Sequence, residues 1–134
     1  MMADVLVDSS VLLDIFTQDE EWLDWSASAL EQAGAHGRLV INPIVYAEIS
    51  VRMDSMEDLD DELEDFVMRR PLPWEAAFLA GKCFERYRRT GGTRTAPLPD
   101  FFIGAHAAVE GLTLLTRDPR RFRAYFPKLK IIAP

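Results

Sequence analysis

Four acidic residues stand in positions where apolar or small residues would be the ordinary choice. Asp8 follows the run Val5-Leu6-Val7, and Glu48 interrupts Ile44-Val45-Tyr46-Ala47-Glu48-Ile49. Asp100 opens Asp100-Phe101-Phe102-Ile103-Gly104-Ala105, and Asp118 follows Leu114-Leu115-Thr116-Arg117. Each has a plain structural alternative. Asp8 and Asp118 could cap the helices that follow them, Asp100 could complement its own helix dipole, and Glu48 could form a salt bridge at a helix edge. Together they admit a chemistry. Converging carboxylates repel one another, and a bound divalent cation relieves the repulsion. No His/Cys cluster accompanies them, so zinc is not expected. Oxygen donors suit Mg²⁺ or Mn²⁺, and a carboxylate-held Mg²⁺ that keeps several waters is equipped for phosphoryl or phosphodiester chemistry.

The elements that must position these acids follow from periodicity and punctuation. Val5-Leu6-Val7-Asp8 reads as a buried strand ending at an acid. Ser9 or Ser10 then caps a short helix through Phe16. Trp22 to Ala33 is helical in spacing, with Trp22, Trp25 and Ala29 on one stripe and Gly34 and Gly37 closing it. Arg38-Leu39-Val40-Ile41 is a second strand, and Asn42-Pro43 opens the helix that carries Glu48. Glu48 lies four positions from Ile44 and three from Val45, on an apolar face, where an unpartnered carboxylate is costly.

Met56 to Met68 reads as one helix, with Leu59, Leu63, Phe66 and Val67 inward and acids outward. A further helix spans Trp74 to Arg89, and Thr90 to Leu98 is a polar loop. Pro99 starts a helix through about Glu110; Leu112 to Thr116 is a third strand. A short helix begins at Asp118-Pro119, and Lys130-Ile131-Ile132 is a candidate last strand. Buried strands alternating with helices indicate an α/β fold around a mainly parallel sheet, one domain over 1–134.

With these segments assembled, the chain resembles the PIN-domain nucleases, most closely ribonuclease toxins of the VapC type. The segments that carry the likeness are Val5-Leu6-Val7-Asp8-Ser9-Ser10-Val11-Leu12-Leu13, Ile44 to Ile49, Leu98 to Ala107, and Leu112 to Phe122. Singly they are weakly specific; in this order they cover nearly the whole chain. The resemblance implies a PIN-like fold, a central mainly parallel sheet flanked by helices. It implies that Asp8, Glu48, Asp100 and Asp118 form a catalytic quartet, with Asp8, Asp100 and Asp118 holding Mg²⁺ or Mn²⁺. Ser10 and Thr116 would orient the carboxylates or hold water. It also implies an RNA substrate, a homodimer, and a small antitoxin partner wrapped near the early helices. Two departures stand out. His106 replaces a small residue or Thr and, six residues after Asp100, reads as a satisfied surface or edge histidine. A second acid two residues from Asp118, present in some relatives, is Thr116 here, which leaves the number of metals open.

The 134 residues carry a net charge of −7, which taken alone speaks against a nucleic-acid partner. Position changes that inference. Residues 1–68 hold 17 acids against Arg38 and Arg52, whereas residues 69–134 hold 13 basic residues against five acids. Arg89, Arg94, Arg117, Arg120 and Arg121 lie close in sequence to Asp100 or Asp118 and are candidate substrate contacts. The lone Cys83 argues for a reducing, cytoplasmic setting; no apolar run suits a bilayer, and the N-terminus lacks the pattern of a signal peptide. Four other readings remain open at this point: a PIN nuclease that processes RNA without a toxin role, a PIN fold retained only for binding, a non-catalytic receiver-like module, and a phosphotransferase with an aspartyl nucleophile. The last usually needs a second Asp two residues after the first, where this chain has Ser10.

Overall fold

The computed structural model describes residues 3–63, 65–92 and 98–134. Among these, five short strands form one sheet, all of whose pairings are parallel. The strands are β1 (Val5–Val7), β2 (Leu39–Ile41), β3 (Met68–Arg69), β4 (Thr113–Leu115) and β5 (Ile131–Ile132). Their order across the sheet is β3-β2-β1-β4-β5. Seven helices link them: α1 (Ser9–Phe16), α2 (Leu23–His36), α3 (Pro43–Ser50), α4 (Met56–Leu63), α5 (Trp74–Arg89), α6 (Leu98–Glu110) and α7 (Arg120–Tyr125). Every residue of β1 and β2 is buried, as strands covered on both faces require.

The strand order decides where a site can form. From β1 the chain proceeds outward through β2 and β3, then returns to add β4 and β5 on the other side of β1. The reversal falls between β1 and β4, and in such sheets the crevice at the carboxyl ends of the two diverging strands is the usual ligand site. Register closes the argument: Val7 lies opposite Leu115, so the residues after both strands emerge side by side.

One apolar core packs around the sheet, from Leu6, Leu12, Val40 and Ile49 to Ile103 and Phe122. A second joins α5, α6 and the end of α7 through Ala76, Ala80, Cys83, Phe101 and Phe126. Gly104 is needed there: a Cβ on it would come within 2.4 Å of the Phe126 ring. Asn42 caps α3 by accepting the Val45 N–H at 2.9 Å, with Pro43 at the first helical position. Among the described residues no helix is long and apolar enough to cross a membrane.

Three expectations change. Asp8, and neither Ser9 nor Ser10, is the N-cap residue of α1. The helix expected over Met56 to Met68 ends at Leu63, and Met68–Arg69 is instead the edge strand β3. Val40 and Ile41 pair with it, and the Arg70 N–H extends the ladder to the Ile41 carbonyl at 2.9 Å. Without β3 the outer side of β2 would leave these backbone groups unpaired. In addition, Gly34 lies inside α2, and Gly37 alone ends it, its N–H bonded to Ala33 O at 3.0 Å.

Candidate active site

Asp8 leaves β1 at the switch crevice and is 5% exposed. Although it occupies the N-cap position of α1, its side chain caps nothing. Its Oδ2 instead accepts hydrogen bonds from Ser10 Oγ at 2.8 Å and Thr116 Oγ1 at 2.7 Å. The hydroxyls hold the carboxyl but do not offset its desolvation. Burial pushes Asp8 up to about 6, the two hydroxyl bonds oppose this, and the charge of Asp100 adds to it.

Glu48 comes from α3 and is half-buried, accepting a bond from Ser9 Oγ at 2.8 Å. Burial is the first cause that raises its carboxyl; the charges of Asp8 and Asp100 raise it further, against the Ser9 bond. Asp100, in the first turn of α6, is raised by burial and by Asp118, while Arg121 lowers it. Arg121 Nη1 donates to Asp100 Oδ2 at 2.6 Å. Asp118 is the outlying member. Its side chain is 73% exposed and lies 3.7 Å from Arg117, while its backbone N–H donates to Thr116 Oγ1 at 3.1 Å. Thr116 therefore joins the two strand-end acids, donating to one and accepting from the backbone of the other.

Asp8, Glu48 and Asp100 thus sense one another's charge, and Asp118 acts on Asp100. Among the described residues, no three His, Cys, Asp or Glu side chains are gathered closely enough to ligate one ion. The donor chemistry nevertheless fits a hard divalent cation: carboxylate oxygens, mutually repelling and partly desolvated, with no imidazole or thiolate among them. Cys83 offers no nucleophile, being buried in the second core with its thiol pushed up by burial.

The basic residues divide by use. Arg120, Arg121 and Arg123 line a groove of about 930 Å³ together with Asp100, Asp118 and Tyr125. Arg89 pairs with Glu85 at 2.7 Å on the exposed side of α5. Arg94 lies outside the described residues. Arg117 borders the groove but is committed inward. Its Nε and Nη2 donate to the two oxygens of Asp14 at 2.8 and 3.1 Å, and its guanidinium lies 5.3 Å from the Trp22 ring centroid. It braces the β4–α7 turn against helices α1 and α2 while bordering the groove.

Three supporting residues escaped the sequence reading. Asp14 is 2% exposed, accepts from Ser26 Oγ at 2.7 Å and receives the Arg117 fork. It could have been found by the reasoning applied to Glu48, since it too is an acid within a short apolar helix. Ser9 and Trp22 carried no comparable signal. His106 requires correction, because it is fully buried. Helix α6 is enclosed along Ile103 to Ala107, and Asn42 and Glu110 supply partners within it. Asn42 Nδ2 meets His106 Nδ1 at 3.0 Å, and Nε2 meets Glu110 Oε1 at 2.7 Å. Since Asn42 Oδ1 already accepts from Val45, its amide nitrogen is the donor toward a neutral Nδ1, and Nε2–H donates to Glu110.

The sequence profile of the PIN domain matches residues 5–126. No curated protein matches the chain in sequence. Among solved structures, VapBC2 from Rickettsia felis bound to a DNA fragment from its promoter is similar with a TM-score of 0.73 and 17% identity, covering 98% of each chain. DNA-bound VapBC from Salmonella typhimurium gives 0.72 and 17%, also over 98% of each. VapC20 from Mycobacterium tuberculosis, a sarcin–ricin loop cleaving toxin, gives 0.62 and 14%, covering 91% of this chain and 95% of that one. At these identities the likeness is one of fold.

Proposed function

The chain belongs to the PIN-domain family, and on that premise we propose that it is a Mg²⁺- or Mn²⁺-dependent endoribonuclease acting as the toxin of a toxin–antitoxin pair. One observation supports the reading: Asp8 leaves β1 at the switch crevice, where it, Glu48 and Asp100 sense one another's charge, and Asp118, after the adjacent strand, acts on Asp100. Asp8 and Asp100 would be the principal cation ligands, with Asp118 and Glu48 completing the site directly or through water. When bound, the cation supplies an acidified water and neutralises charge developing on the scissile phosphate.

The chain's own residues do the rest. Ser10 and Thr116 hold the Asp8 carboxyl in one orientation from two sides. Ser9 holds Glu48 toward the same crevice. Arg120 and Arg123 present charge along the groove, where the phosphates of a strand entering the site would lie. Hydrolysis adds the hydroxyl of water to phosphorus and breaks the P–O3′ bond; the proton goes to O3′, leaving a 5′-phosphate and a 3′-hydroxyl.

RNA as substrate is supported by the fold shared with VapC20, and an antitoxin partner by the fold shared with the VapBC complexes. A groove of about 1090 Å³ near the early helices, floored by Ile15, Phe16, Leu30 and Leu39, is a surface such a partner could cover. A homodimer would find an apolar face in Trp74 and Phe78, both exposed one turn apart on α5.

The test is cleavage by the purified chain of RNA, DNA and a phosphate monoester with Mg²⁺, Mn²⁺ or EDTA. RNA cleavage with either ion, none in EDTA, and a loss of at least about 100-fold in Asp100→Asn are expected. RNA cleavage that persists in EDTA overturns the reading. Growth arrest on expression, relieved by a small co-expressed partner, separates a toxin from a processing nuclease.

A further inference from the structure

Adjacent arginines of α7 stand in different situations. Arg120 is exposed and makes no ion pair among the described residues. Arg121 reaches back to α6 and places Nη1 2.6 Å from Asp100 Oδ2, the spacing of a charge-assisted hydrogen bond. The pair is neither sealed nor loose, with side chains 35% and 30% exposed. Asp100 is also the acid with the most charged neighbours, since its charge acts on Asp8 and Glu48 and it feels that of Asp118. The carboxylate whose charge reaches the rest of the quartet is therefore held by an arginine at hydrogen-bond distance, closer than the 3.7 Å between Asp118 and Arg117.

We propose that Arg121 is a resident counter-ion, holding the cation's place on Asp100 until a divalent ion displaces it. This rests on the reading of the crevice as a divalent-cation site. A guanidinium hydrogen-bonded to Oδ2 repels a divalent ion arriving at either oxygen of the same carboxylate, so pairing disfavours loading. The open arrangement, with Arg121 swung away, is the one that binds an ion more tightly. Apparent affinity is then reduced by the fraction of molecules that are open. For a partly exposed pair that reduction is about 2- to 10-fold. In return, the ion-free chain does not hold Asp100 unpaired against Asp118 and Asp8. Arg121 already lines the basic groove, so once displaced it joins Arg120 and Arg123, where a substrate phosphate would meet it.

Calorimetric titration of the full chain with Mn²⁺ alone tests this without reference to cleavage. Arg121→Gln is expected to bind Mn²⁺ about 2- to 10-fold more tightly than the unaltered protein. Arg120→Gln removes the same charge from the same helix without breaking a pair, so its effect is expected to be smaller. Arg121→Lys, which keeps a cation beside Asp100, is expected to fall near the unaltered protein and guards against a folding defect in the Gln variant. If Arg121→Gln binds Mn²⁺ no more tightly than Arg120→Gln, Arg121 is only a clasp between α6 and α7 and the proposal fails. If neither the unaltered protein nor any variant binds Mn²⁺, the cation-site reading fails, and the proposal with it.

Discussion

Asp8→Asn is expected to stabilise the ion-free protein while removing a proposed ligand. Asp8 is almost fully buried, and its carboxyl rises from 3.8 to about 6 on folding. The sign follows from proton counting. Below pH 3.8 both folded and unfolded chains hold the proton, and the group costs nothing. Between 3.8 and about 6 the folded chain holds a proton that the unfolded chain has released, so stability falls as pH rises. Well above 6 the loss reaches about 3 kcal/mol. Asparagine does not titrate, and its side-chain oxygen can accept the same bonds from Ser10 and Thr116. Urea unfolding followed by circular dichroism, in EDTA, should therefore show Asp8→Asn more stable by about 3 kcal/mol at pH 7.5 and by about 1.5 kcal/mol at pH 5. Added Mn²⁺ should narrow the gap at pH 7.5, because ion binding stabilises only the chain that keeps the carboxylate. A variant that is equally or less stable at pH 7.5, or a gap that does not shrink toward pH 5, would refute the assignment of Asp8 as a desolvated carboxylate.

Two further perturbations test the scaffold. Arg117→Met leaves the nearly buried Asp14 without its guanidinium and is expected to cost about 2–4 kcal/mol in urea unfolding, with Asp14→Leu in the same chain recovering part of the loss; additive effects of the two changes would argue against the brace. Asn42→Ala removes both the cap of α3 and the donor facing His106, and a loss of about 2 kcal/mol is expected, against about 1 kcal/mol from the cap alone if the His106 contact is incidental.

Much of this was legible in the sequence, because strand, cap and turn signals are local. Val5-Leu6-Val7 and Leu114-Leu115 are continuous apolar runs that end at polar residues, and Asn42-Pro43 is a helix start in two letters. Those signals placed Asp8, Glu48, Asp100 and Asp118 on the correct elements. What escaped depends on distant partners. The strand β3 is two residues long and owes its existence to the edge of β2, while the acidic pattern before it reads as continuing helix. The bracing role of Arg117 was not legible because nothing local tells it apart from Arg120; Asp14, 103 positions away, does. His106 looked peripheral because one of its two partners, Asn42 at the N-cap of α3, is 64 positions away.

If the carboxylate site cuts RNA, Asp8→Asn is a well-matched control, because it is expected to fold at least as stably as the unaltered chain. Sequencing RNA ends after brief expression of each is the most direct test. New 5′-phosphate ends are expected with the unaltered protein and none of them with Asp8→Asn. Identical end profiles from the two proteins would contradict cleavage by this site.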